Sequence, residues 1–314
     1  MNKKAKIFVA GAKGLVGSAI IRCLKKNGFS NILSPGHSEL ELMDNNAVDK
    51  YFAKTKPEFV FIAAAKVGGI MANNTYPADF IYRNLMIQNN IIHTSFKYQI
   101  KKLIFLGSSC IYPKNCPQPI KEEYLMTGQL ESTNSAYAVA KIAGIEMCWA
   151  YNRQHKTKFI PVMPTNLYGP KDNFDLETSH VLPALIKKFH HAKINQEPEV
   201  TIWGTGSPKR EFLHVDDLAD ACIFIMNKEF NKEEYIKKIL FNIGVGKDLS
   251  IKELADLIKD ITEYHGKLVF DSSKPDGTPQ KLLDVSKVSA LNWKSGISLK
   301  TGLKTTYEWY LNNL

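Results

Sequence analysis

The sequence predicts an α/β fold: a doubly wound parallel sheet followed by a smaller C-terminal α/β lobe. Three observations carry that expectation. Short apolar runs alternate with amphipathic segments through the first half, as in strand–helix–strand units around a parallel sheet. One run, Phe59-Val-Phe-Ile-Ala-Ala-Ala65, is apolar at every position, as a central strand covered by helices on both faces must be. Finally, a strand-like run leads straight into Gly11-Ala-Lys-Gly14-Leu-Val-Gly17 and then into a helical pattern.

Taken in order, Lys6–Ala10 reads as the first strand and Leu15 to Asn27 as the first helix, followed by strand Ile32–Ser34 and helix Ala47 to Lys54. After the central run come a long helix, about Ala78 to Tyr98, strand Lys102–Leu106 and a helix from Ser135 to about His155. Strand Phe159–Met163 then leads into Pro164-Thr-Asn-Leu-Tyr-Gly169. Beyond residue 170 the pattern loosens into helix Val181 to Ala192, strands Val200–Trp203 and Glu211–His214, helix Asp217 to Met226, strand Ile239–Ile243 and helix Ile251 to Tyr264. No repeat, low-complexity tract or flexible linker interrupts the chain, so two lobes enclosing a cleft are expected.

With 314 residues, 44% of them hydrophobic, the chain can bury one large or two moderate cores. No run approaches the ~20 apolar residues of a membrane helix. The apolar stretch after Met1-Asn-Lys-Lys-Ala-Lys6 is too short for a signal peptide, so a cytoplasmic protein without membrane contact is expected. Cys23, Cys110, Cys116, Cys148 and Cys222 form an odd set without a C-x-x-C pair, which indicates neither a disulfide framework nor a metal site. The net charge of +10 comes from scattered pairs such as Lys25-Lys26 and Lys187-Lys188; no basic tract points to nucleic acid, and the balance suits phosphate-bearing ligands.

In Gly11-x-x-Gly14-x-x-Gly17 the first glycine permits a tight turn, the second lets backbone approach a pyrophosphate and the third allows close helix packing; the helix N-terminus attracts the anion. The context makes the sheet Rossmann-type and assigns Gly11, Ala12, Lys13, Gly14, Leu15, Val16 and Gly17 to a dinucleotide. A dinucleotide-binding domain over 1–168, completed by 211–243, and a substrate-binding lobe from 169–210 and 244–314 are therefore expected. At the tip of the second strand, Ser34-Pro-Gly-His-Ser38 has no carboxylate before Glu39 to hold a ribose 2′-hydroxyl. With Lys13 and His37 nearby, this leans towards NADP(H).

Tyr137-Ala-Val-Ala-Lys141 places two side chains four apart on one helical face. A tyrosine with an ordinary pKa of ~10 is a poor proton shuttle at neutral pH, and an adjacent ammonium favours its phenolate. Ser108, in Leu106-Gly-Ser-Ser-Cys-Ile-Tyr112, offers a hydroxyl to a substrate carbonyl that the tyrosine protonates during hydride transfer. If this segment is extended, Cys110 faces the same side as Ser108, where a thiolate could remove a proton from carbon next to a ketone. His214 with Asp216-Asp217 reads as a strand end and a helix cap made by the aspartates.

With these residues assembled, the sequence resembles the extended short-chain dehydrogenase/reductase family. The resemblance runs through Ala63-Ala-Ala-Lys-Val-Gly-Gly-Ile70, Asn73-Asn-Thr-Tyr-Pro-Ala-Asp-Phe80, Leu106–Pro113, Met163–Pro170, Arg210-Glu-Phe-Leu-His-Val-Asp-Asp217 and Lys274-Pro-Asp-Gly-Thr-Pro279, almost the whole chain. It is to those members that epimerise C3 and C5 of GDP-4-keto-6-deoxy-D-mannose and then reduce the C4 ketone with NADPH, giving GDP-L-fucose. The resemblance implies Cys110 as base and His180 as acid for the epimerisations, beside Ser108, Tyr137 and Lys141. It further implies Leu106, Gly107, Ser108, Lys141, Pro164, Thr165, Asn166, Leu167 and His180 as cofactor contacts. Lys188, Trp203, Arg210 and Asp276 are implied as contacts to the GDP-sugar.

Related enzymes commonly form homodimers through the long helices after the third and fourth strands, so a homodimer is implied here. The family often carries arginine where this chain has Lys13 and His37, and a basic residue where it has Gln280; a lysine lacks arginine's bidentate fork. The alternatives are another nucleotide-sugar epimerase or dehydratase and a non-catalytic dinucleotide sensor. Dehydratases of this type usually place an acidic pair where Ser109-Cys110 stands, and a sensor would have no use for Tyr137 and Lys141.

Overall fold

The computed structural model describes residues 1–274 and 276–314; Pro275, part of the Lys274–Pro279 motif, lies outside the described residues. The first half builds strands and helices in alternation: β1 (Ile7–Ala10), α1 (Leu15–Lys26), β2 (Ile32–Leu33), α2 (Asn45–Thr55) and β3 (Phe59–Ile62), then α3 (Ile70–Thr75), α4 (Pro77–Lys97), β4 (Lys102–Leu106), α5 (Ser135–His155) and β5 (Phe159–Pro164). The chain continues through β6 (Asn166–Tyr168), α6 (Val181–Ile194), β7 (Glu199–Trp203), β8 (Lys209–Arg210), β9 (Phe212–His214), α7 (Val215–Asn227), α8 (Lys232–Ile236) and β10 (Phe241–Ile243). It ends with β11 (Leu249–Ser250), α9 (Ile251–Thr262), β12 (Lys267–Asp271), β13 (Gln280–Lys281), α10 (Ser286–Ala290) and α11 (Leu299–Leu311).

Six strands form one parallel sheet in the order β10-β5-β4-β3-β1-β2, a Rossmann-like arrangement. Its residues alternate between two cores. Ile7, Val9, Phe61, Ile104 and Leu106 face one side, with α1 and α7. Phe8, Val60, Ile62, Leu103 and Phe105 face the other, against α2, α4 and α5. Because both faces are covered, the strands read as continuous apolar runs. Val288 and Trp293 also pack into the first core. The strand order reverses between β1 and β3, which opens a crevice at the carboxyl ends of the strands, where open α/β sheets bind ligands.

A third core joins α6, α9 and α11 through Leu185, Phe189, Leu254, Ile258 and Leu303, with Val200 and Ile202 of β7. Two small sheets accompany it, β12-β7 and β11-β8-β13, while β6 pairs with β9. Among the described residues, no helix is long and apolar enough to cross a membrane.

Two local expectations are corrected. Residues 109–111 form a 3-10 turn, where an extended segment was expected; Ser108 is extended and caps that turn, which brings Cys110 back beside it. At α7 the cap is His214, whose ring accepts from the Asp216 N–H, and neither aspartate caps. Asp216 pairs instead with Arg22, and Asp217 accepts from the N–H groups of Gly296 and Ile297.

Candidate active site

The loop from β1 to α1 makes the first wall. Gly11 has φ +82, and a Cβ there would lie 2.7 Å from the Ala64 nitrogen on the neighbouring strand end. A Cβ on Gly17 would strike the Gly11 carbonyl, so α1 can start this close to β1 only with glycine there. Gly14 meets nothing nearer than 3.5 Å, and α1 starts with no side-chain cap and no acidic residue in its first turn. Uncapped N–H groups at the end of a 12-residue helix, beside an open glycine, fit a pyrophosphate.

Lys13 is exposed, and its Nζ comes within 3.1 Å of where a Cβ on Gly36 would stand, so it reaches the loop after β2. His37 in that loop pairs with Glu41 at 3.2 Å, and Glu39 accepts from the Gly36 N–H at 3.3 Å. One carboxylate therefore does touch the backbone at the tip of β2.

The end of β4 carries the second wall. The Lys141 ammonium donates to the Leu106 carbonyl at 2.8 Å and lies 6.0 Å from the centre of the Tyr137 ring. Burial lowers the Lys141 pKa to about 8, with Cys110 acting in the opposite direction. For Tyr137 burial is again the main cause and raises the hydroxyl above its usual value; Cys110 adds to this and the Ser108 hydroxyl works against it. Tyr137 is thus held protonated, as a donor. Phe80 packs edge-on against its ring at 6.2 Å.

Ser108 Oγ and Cys110 Sγ are 3.0 Å apart and both half-buried. Ser108, Cys110, Tyr137 and Lys141 therefore converge on one spot beyond β4. Gly107 links them to Leu106. At the end of β5, Pro164 registers with Ile243, the Thr165 N–H donates to the Ile243 carbonyl, and the side chains of Thr165 and Asn166 both donate to the Glu211 carbonyl; Leu167 follows within β6.

His180 stands at the start of α6 without making a cap hydrogen bond. The residue is exposed, and desolvation, followed by the charge of Lys281, lowers its pKa. Lys281 was not singled out from the sequence. It lines one recess with Cys110, Glu131 and Thr278, and its ammonium is pushed down by burial first, with Cys110 raising it and Arg210 lowering it. Lys281 thus shares a recess with Cys110 and registers with Arg210 across β13 and β8, and its charge acts on His180. The only sequence signal for it is its place next to Gln280.

The remaining four candidates gather on the small-lobe side. Lys188 donates to the Thr201 carbonyl and lies 5.7 Å from the centre of the Trp203 ring, which also has Lys274 over it at 5.8 Å. Trp203 is 58% exposed, an unusual state for an indole and one that offers a flat face to a ligand. Asp276 accepts from the backbone and hydroxyl of Thr205 at 2.7 and 2.9 Å, and its charge acts on Arg210. Among the described residues, no group of three or more His, Cys, Asp or Glu side chains is placed to hold a metal.

The NAD dependent epimerase/dehydratase family model matches residues 7–244. Over its full length the chain is 58% identical to a putative GDP-L-fucose synthase of Arabidopsis thaliana, covering 94% of that protein. It is 51% identical to the GDP-L-fucose synthase of Escherichia coli strain K12, over 99% of this chain and 98% of that one. Among solved structures, a GDP-mannoheptose C4 reductase from Campylobacter jejuni with NADP bound superposes with a TM-score of 0.92 at 46% identity, over 99% of both chains. A match of this extent to one family model, with relatives this similar along the whole length, establishes that the chain belongs to the NAD dependent epimerase/dehydratase family.

Proposed function

We propose that this chain is a GDP-L-fucose synthase, converting GDP-4-keto-6-deoxy-D-mannose to GDP-L-fucose with NADPH. The observation that carries the reading is the convergence of Cys110 with Ser108, Tyr137 and Lys141 beyond β4, with Lys281 in the recess beside that thiol. Full-length likeness to two proteins named GDP-L-fucose synthase supports the same substrate.

The C4 ketone acidifies the hydrogens at C3 and C5. Cys110, as thiolate, removes the proton from each carbon in turn, and His180 returns one from the other face. Ser108 donates a hydrogen bond to the C4 oxygen throughout. NADPH, when bound, supplies the hydride to C4. Tyr137 delivers its proton to the C4 oxygen, and the Lys141 ammonium stabilises the phenolate left behind. Gly11, Gly14 and the first N–H groups of α1 would hold the pyrophosphate of NADPH, with Gly17 letting α1 start close enough to β1; Lys13 and His37 would meet its 2′-phosphate, and Thr165, Asn166 and Leu167 would line its inner end. Arg210 and Lys281 take the diphosphate of the sugar nucleotide, while Trp203, Lys188 and Asp276 receive its nucleoside.

On this reading residues 1–168 with 211–243 serve the cofactor, and 169–210 with 244–314 serve the substrate. The exception is the stretch around Val288 and Trp293, which packs into the first core. Tyr82 on α4 and Val139 on α5 are 58% and 45% exposed, and we assign that helix pair to a homodimer contact.

A second reading, a GDP-sugar C4 reductase without epimerase activity, is favoured by the likeness to the Campylobacter jejuni enzyme. Incubating the protein with the keto sugar nucleotide and NADPH in deuterated water separates the two. The proposal expects NADPH oxidation with deuterium at both C3 and C5, and Cys110→Ser should abolish that exchange. Reduction without deuterium incorporation would establish the second reading.

A further inference from the structure

Glu211 is fully buried where the large sheet meets the small lobe. One carboxylate oxygen accepts the N–H groups of Val245 and Gly246 at 2.6 and 2.7 Å, and the other accepts the Leu283 N–H at 3.0 Å. Its backbone carbonyl takes the side chains of Asn166 and Thr165 at 2.8 and 3.2 Å. A Cβ on Gly244 would run into the carboxylate, so glycine at 244 makes the room it needs. Burial pushes the Glu211 pKa up, and the three backbone donors pull it down.

What the carboxylate holds gives it a role beyond stapling. Arg210 precedes it directly, and Leu283 lies two residues beyond Lys281. Strands β8 and β13 are parallel with Arg210 and Lys281 in register, which places two cations side by side on neighbouring strands. Like charges so placed repel, and each of these strands is only two residues long. The small sheet alone is a weak clamp for them. Glu211, tied to the end of β10 through Val245 and Gly246, supplies a fixed point on the large sheet from which both strands hang.

We propose that Glu211 is a positioning residue whose carboxylate sets the spacing of Arg210 and Lys281 and so the grip on the diphosphate of the sugar nucleotide; this rests on the substrate reading above. The test uses Glu211→Gln in the full chain. Glutamine keeps one oxygen for Val245 and Gly246 but turns an amide N–H₂ towards the Leu283 N–H, so the break falls on β13. Expected are rises of about tenfold in the Kd for GDP, by calorimetry, and in the KM for the keto sugar nucleotide, the size of one lost hydrogen bond to a charged group. Turnover and the Kd for NADPH should stay within about twofold, because the carbonyl holding Thr165 and Asn166 is untouched.

In a Lys281→Met background the same change should weaken GDP binding by less than about threefold, since half of the pair it spaces is gone. Additive effects, an unchanged GDP affinity, or equal losses in turnover and in both ligands would overturn the proposal. If Glu211→Gln does not fold, Glu211→Asp, which keeps the charge with a shorter reach, should show the same GDP-specific loss; failure of both to fold would leave a purely structural staple and overturn it. Failure of the wild-type protein to bind GDP would instead sink the substrate reading itself.

Discussion

The two walls of the cleft are built in opposite ways. On the side proposed for the cofactor, Gly11 to Gly17 form one continuous stretch that passes from the loop after β1 into the first turn of α1, and Tyr137 and Lys141 share one turn of α5, all braced on the six-stranded sheet. On the side proposed for the substrate, Lys188 of α6, Trp203 of β7, Arg210 of β8, Asp276 of a loop and Lys281 of β13 come from separate segments, and the strands among them belong to sheets of only two and three strands. The first wall is local. The second is assembled from afar, so its residues should govern affinity, while those braced on the large sheet govern the chemical step.

The largest test of that division is Tyr137→Phe. Loss of a positioned proton donor should reduce reduction of the C4 ketone by about 10²- to 10⁴-fold in kcat with little change in the KM of the sugar nucleotide. A comparable loss in KM, measured by steady-state NADPH oxidation, would break the division. Lys141 extends the test through pH. Its pKa, lowered by burial to about 8, means the ammonium is present below that pH and lost above it, so kcat should fall as pH rises through about 8. Stability runs the other way, because the buried ammonium is disfavoured relative to the unfolded chain: the penalty is full below pH about 8 and fades as pH rises towards the usual lysine value of 10.5.

Next in size is Arg210→Met. On the proposed assignment, removing one cation of the Arg210/Lys281 pair should raise the KM of the sugar nucleotide by about 10- to 100-fold at nearly constant kcat, the range for charge-assisted hydrogen bonds. A fall in kcat instead would place Arg210 in the chemical step.

The same contrast explains what the sequence revealed. The glycine loop and the Tyr137/Lys141 pair are legible because their geometry is set by neighbours within a few residues, and the buried strands declare themselves by unbroken apolar runs. Cys110 was placed beside Ser108 on the premise of an extended segment, and a 3-10 turn brings it there by another route. Lys281, Lys274 and Glu211 went unassigned because nothing local marks them: each acquires its surroundings from a chain segment dozens of residues away. Strand β12 and helix α11 were missed as well. Leu268 and Phe270 alternate with exposed residues over only five positions, too short a pattern to stand out until β7 is beside it.

A smaller effect connects the walls. Desolvation first and the charge of Lys281 second lower the His180 pKa below its ordinary value. Lys281→Met removes the second cause and leaves the first. The His180 pKa should therefore rise part of the way back to its ordinary 6.5, and deuterium exchange at saturating substrate should persist to higher pH than in the wild type. An unmoved alkaline limb would mean that Lys281 acts on the diphosphate alone.

The smallest expected effect is at Lys13, on the first wall. Lys13 reaches the loop after β2 from an exposed position, His37 is engaged with Glu41, and Glu39 holds the Gly36 N–H. A solvent-screened lysine contributes about 1 kcal/mol or less to such a contact, so Lys13→Ala should raise the KM for NADPH by about fivefold or less and leave that for NADH unchanged. Glu39→Gln should act in the reverse sense, because removing its charge from the tip of β2 relieves repulsion of a 2′-phosphate. If Lys13→Ala altered NADH and NADPH equally, the lysine would be holding the pyrophosphate, and selection between the two cofactors would fall to the Pro35-Gly36-His37 turn.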